Sequence, residues 1–172
     1  MILPDGVLGL LAADGPASEN RDQLMQFGRF VGSWELDVSY FAADGSEDRT
    51  TAEWHWSWAL GGKAIMDVLV LPAQPSAPKT DGYHTLLRVY DASQDMWKVV
   101  WVAPQYGIVY KLTGSFSDDG GVVLLSDPGE KDPSKWVFSD VTDDTFLWEG
   151  FTKDSPDGEW RLEQRMTARR TS

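Results

Sequence analysis

Ser33-Trp34-Glu35-Leu36-Asp37-Val38-Ser39-Tyr40 and Ala52-Glu53-Trp54-His55-Trp56-Ser57-Trp58, separated by a turn at Ala43-Asp44-Gly45, decide the fold. In both stretches large apolar residues alternate with polar ones. A period of two is what a half-buried strand requires, because successive side chains point to opposite faces of a sheet. The pair reads as a hairpin with one dry face and one wet face.

The same punctuation continues outward from this hairpin. Leu60-Gly61-Gly62 turns the chain into an apolar run at 63–71, and Pro72, Pro75 and Pro78 make the next connection a loop, since proline cannot donate to a ladder. Further strands read at 83–90, 96–102, 107–114, 122–126, 135–140, 145–152 and 159–169. Turn-forming Asp, Gly, Pro and Ser clusters divide them. Before the first strand, Asn20 with Gln23 resembles a capping box, and Leu24, Phe27 and Val31 recur at helical spacing, predicting a helix over 21–30. Residues 1–18 read as a loose arm and 19–172 as one domain. About ten short strands after one helix predict a mainly β, antiparallel, up-and-down barrel, because closure removes exposed edges.

Composition narrows the partners. With 27 acidic against 15 basic residues the net charge is −12, a field that repels nucleic-acid phosphates and anionic lipid. It favours neutral or cationic small molecules. There is no cysteine, so disulfides, thiolate catalysis and cysteine-bound metal centres are excluded. No apolar run approaches the ~18 residues of a membrane helix, and Asp5 replaces the basic start of a secretory signal. The expectation is a cytoplasmic chain, monomer or homodimer, that binds neither nucleic acid nor membrane.

Gly32-Ser33-Trp34, a Gly-x-Trp opening the first strand after Phe30-Val31, resembles the signature of lipocalins and the wider calycin superfamily. Leu60-Gly61-Gly62-Lys63-Ala64 with Asp67, and Leu87-Arg88-Val89-Tyr90-Asp91 with Trp97 and Trp101, are similar to a lipocalin-like family of bacterial proteins of unassigned function. So are Trp136-Val137-Phe138-Ser139-Asp140, Asp157-Gly158-Glu159-Trp160 and the closing Met166-Thr167-Ala168-Arg169. The resemblance spans roughly residues 24–170. It implies a calycin barrel with Gly32 and Trp34 at its closed end. It also implies an arginine of the last strand stacked on Trp34, for which Arg165 and Arg169 are both candidates.

The nine tryptophans carry the functional reading. Trp54, Trp56, Trp97, Trp101, Tyr106, Tyr110, Trp136, Phe138 and Trp148 fall at alternating positions. Singly, each reads as core. Together, in a barrel of ten strands, they predict an aromatic-lined cavity for a small-molecule ligand. Asp67 and Arg88 interrupt two apolar strands and read either as a structural ion pair or as polar catalytic groups in that cavity. Glu149 and Glu163 read as solvated. His55 reads as a surface residue, and no spacing suits a metal or calls for a cofactor. Two functions follow: a binding protein for a hydrophobic or aromatic metabolite, or a cofactor-free cyclase or isomerase using Asp67 and Arg88.

Overall fold

The computed structural model describes residues 6–72, 82–155 and 157–172. Ten antiparallel strands close into one barrel in simple up-and-down order, each pairing with its sequence neighbours and the last with the first. They are β1 (Gly32–Phe41), β2 (Glu47–Ala59), β3 (Ala64–Leu71), β4 (Gly82–Asp91), β5 (Met96–Ala103), β6 (Ile108–Phe116), β7 (Val122–Ser126), β8 (Ser134–Ser139), β9 (Thr145–Thr152) and β10 (Arg161–Arg170). The alternation read in the first hairpin is the inside-outside alternation of the barrel. Trp34, Leu36 and Val38 of β1, and Trp54, Trp56 and Trp58 of β2, are all buried. The prolines at 75 and 78 lie outside the described residues. Among the described residues no helix is long and apolar enough to cross a membrane.

Helix α2 (Arg21–Gly28) plugs one end. It stops two residues short of the expected boundary. Its Asn20 adopts a left-handed conformation, φ 53°, and makes no side-chain cap, so the capping box expected with Gln23 is not formed. Burial holds the helix instead. Phe27 and Phe30 are fully buried. Phe27 meets the edge of Trp97 at 4.8 Å, and Phe30 stacks on Trp56 at 5.3 Å. Two indole N–H groups also fasten the plug: Trp34 donates to the Phe30 carbonyl at 2.8 Å and Trp97 to Gln26 Oε1 at 3.0 Å.

The arginine over Trp34 is Arg170, with its guanidinium carbon 4.1 Å from the ring centre. Arg165 and Arg169 instead pair outside the barrel with Glu149 and Asp37. The pleat explains the correction: Met166 and Ala168 point inward, so the next inward position is 170.

The segment before α2 is better fastened than a loose arm. It contains a six-residue helix, α1 (Gly6–Leu11), and a bridge from Ala12 to Ala59. Ala13 N–H donates to the Trp58 carbonyl and Ala17 N–H to that of Gly62. Gly62 has φ +78°, and a Cβ there would collide with the Gly15 carbonyl and the Ala17 backbone. Gly61 has φ +66° but open space around it. Gly61→Ala therefore costs only the left-handed penalty, about 1 kcal/mol, whereas Gly62→Ala adds a backbone clash and costs about 2–3 kcal/mol. Urea unfolding of the two variants checks this, and equal midpoints would show that the arm does not press on the turn.

Seven of the nine tryptophans are buried and the other two, Trp101 and Trp160, are half-buried.

Candidate functional site

Opposite the plug the barrel is hollow. A cavity of about 790 Å³ opens at that end. Its wall is made from inward positions of nine strands, with Trp54 and Leu86 on the side of the plug and Glu130, Lys131, Asp132 and Glu163 at the rim. A separate depression of about 510 Å³ lies outside the barrel among Glu35, Asp37, Thr51, Glu53 and Arg169. It is a cleft between outward side chains and has none of the indoles.

Of the nine aromatic residues expected in the lining, Trp54, Trp101, Tyr106, Tyr110, Trp136 and Trp148 are on the wall. Trp56, Trp97 and Phe138 are not. They pack with Phe27 and Phe30 against the plug. The wall also uses residues the sequence did not single out, notably Tyr40, Leu69, Leu71, His84, Gln164 and Met166. For His84 a signal existed: it shares the inward parity of Leu86 and Arg88 on β4.

The wall rings hold one another edge to face. Trp101 meets Trp136 at 5.8 Å and 77°, and Trp136 meets Trp148 at 5.7 Å and 62°. On the other side Trp101 meets His84 at 5.3 Å. This arrangement matches the quadrupoles of the rings and fixes their orientation without hydrogen bonds. The indole nitrogens of Trp54 and Trp148 and Nε2 of His84 are sealed within the protein, without a hydrogen-bond partner. The two indoles therefore present ring carbon to the chamber, and Nε2 of His84 is turned away from it.

Burial pushes the His84 imidazole below its usual pKa, so it is neutral at physiological pH. The folded protein then resists a proton that the unfolded chain accepts. Stability falls as pH drops through the ordinary histidine range near ~6.5. In His84→Gln this one-proton slope should vanish, while carboxylate titration at lower pH stays. Urea midpoints measured across pH 5–8 on both proteins give the difference, and parallel curves would contradict the neutral, buried imidazole.

Asp67 on β3 and Arg88 on β4 are brought together. Arg88 Nη1 donates to Asp67 Oδ2, and both side chains are 0% exposed. The pair does not line the cavity. Asp67 sits next to Leu69, and Arg88 next to Leu86, one inward position closer to the plug. The guanidinium carbon lies 3.9 Å from the Trp56 ring centre and 5.0 Å from that of Phe27. Burial raises the Asp67 pKa, and the Arg88 charge offsets part of that. Burial likewise lowers Arg88, offset by Asp67. Asp67 Oδ1 and Arg88 Nε and Nη2 have no hydrogen-bond partner.

The remaining charged candidates lie outside. Glu149 accepts from Arg165 at 2.7 Å. His55 contacts Ser33 and Glu53 on the outer face. Glu163 is exposed but reaches the rim, because a bulge between Leu162 and Gln164 re-aims it. Among the described residues no cluster of three metal-ligating side chains occurs.

Solved structures share the shape of this closed ten-strand barrel. The S-type phycobiliprotein lyase CPES from Guillardia theta matches with a TM-score of 0.61 at 14% identity, over 85% of this chain and 90% of that one. Rv2717c from M. tuberculosis matches with a TM-score of 0.62 at 12% identity, over 87% and 98%. No family model and no curated sequence matches this chain. At such identity the likeness establishes the fold and leaves the chemistry to the residues.

Proposed function

We propose that this chain is a binding protein for a hydrophobic, flat small molecule held in the aromatic chamber. The observation that carries the reading is the chamber itself. It has about 790 Å³ of space, opens at one end, and is walled by rings locked edge to face. Its size lies within the ~300–1,000 Å³ typical of small-molecule pockets. The apolar wall supplies affinity by burial, and the fixed rings spare the ordering cost of binding.

The position of Asp67 and Arg88 favours binding over the cyclase or isomerase alternative. Proton transfer needs a group within hydrogen-bond reach of the reacting atom. These two spend their contact on each other beyond the chamber wall.

N-phenyl-1-naphthylamine, which is neutral and brightens in apolar surroundings, is the probe. Saturable, one-to-one enhancement is expected, and Leu69→Trp, which fills the chamber from β3, should abolish it. Asp67→Asn, if folded, should keep probe affinity within about threefold, since the carboxylate is off the wall. Enhancement that does not saturate, or that survives Leu69→Trp unchanged, would overturn the reading.

A further inference from the structure

From the charges around the chamber we infer that its guest is a cation or an uncharged molecule, and that carboxylate-bearing compounds are excluded. This rests on the chamber being a binding site. Three observations carry it. First, the described rim holds three carboxylates, Glu130, Asp132 and Glu163, against one ammonium, Lys131. Second, no positive charge reaches the described wall below that rim. The interior guanidinium, Arg88, is off the wall and paired with Asp67, and His84 is neutral. Third, the nitrogens of Trp54 and Trp148 are sealed away, so these two indoles offer an anion ring carbon and no N–H donor.

The physics of each is additive. Indole faces attract cations through their quadrupole and repel anions. Rim carboxylates add attraction that is weak in water but of the same sign. The protein's net charge of −12 draws cations toward the mouth and turns anions away. An anion would leave water for a wall with neither counter-charge nor exposed donors at these positions, which is costly.

Three ring-matched probes test the inference at pH 8: N-methylacridinium, acridine and acridine-9-carboxylate, each titrated by the anisotropy of its own emission. The cation should bind about 10- to 30-fold tighter than the anion, with neutral acridine between them. Raising salt from 50 to 500 mM should shrink the ratio, as should Glu130→Gln with Glu163→Gln. All binding should be lost in Leu69→Trp. Equal affinities, or tightest binding of the carboxylate, would overturn the charge preference while leaving the chamber reading standing. Failure of all three to bind would remove the chamber reading itself. Cation binding that persists in Leu69→Trp would place it at the acidic outer cleft and overturn the inference.

Discussion

Replacing Asp67 by leucine is expected to cost about 3–5 kcal/mol of stability. Leucine fits the apolar strand, so the loss does not come from packing. It comes from Arg88, which is fully buried and would keep a charge with no counter-ion. Stacking on Trp56 offsets only part of that. The companion variant makes the case specific. Asp67→Leu combined with Arg88→Met removes both desolvation costs and should return stability to within about 1–2 kcal/mol of the parent, or above it. By contrast, Asp37→Asn breaks the Arg169 pair, whose side chains are more than half exposed, and should change stability by at most about 0.5 kcal/mol. Urea midpoints followed by tryptophan fluorescence read all three. A single Asp67→Leu protein as stable as the parent would mean that the pair carries no uncompensated charge.

Arg170→Met is expected to lose about 3 kcal/mol. The guanidinium donates to three main-chain carbonyls: Arg29 at 2.7 Å, Val31 at 2.8 Å and Asp143 at 2.6 Å. It also covers Trp34. One side chain thus ties the end of α2, the start of β1 and the β8–β9 turn to the last strand. Each lost bond to a charged donor removes about 1 kcal/mol or more, and the ring contact adds about 0.5–1. Arg170→Lys keeps the charge but not the planar fork and should recover less than half. The neighbouring Arg169→Met is the control, with about 0.5 kcal/mol or less lost. If calorimetric melting of the two methionine variants coincides, Arg170 is not the clamp described.

The sequence revealed which way most side chains point and concealed how deep they sit. Period-two alternation placed Trp54 and Trp56 on one face correctly, yet one lines the chamber and the other packs against the plug. They are two residues apart, roughly 7 Å along the strand, and that step crosses from one layer to the next. Strand tilt sets the layer, and tilt is a property of the closed barrel. The same blindness hid the depth of Asp67 and Arg88, whose pairing was readable from their apolar surroundings. Arg170 was missed for another reason: parity counted from Met166 would have found it. Glu163 reads as solvated and is exposed; what parity does not show is that the bulge beside it brings it to the rim.

Up-and-down closure leaves a seam between β1 and β10, and Arg170 clamps it to Val31, 139 residues earlier. Val31 precedes the first strand of the barrel and Arg170 lies in the last, so β1 is made long before its partner. Until β10 is made, β1 pairs on one side only, and its free backbone groups offer a template to any other growing chain. Contacts this remote in sequence also form slowly. Until that seam closes, the outer edge of β1 is the part of the barrel most open to pairing with another chain.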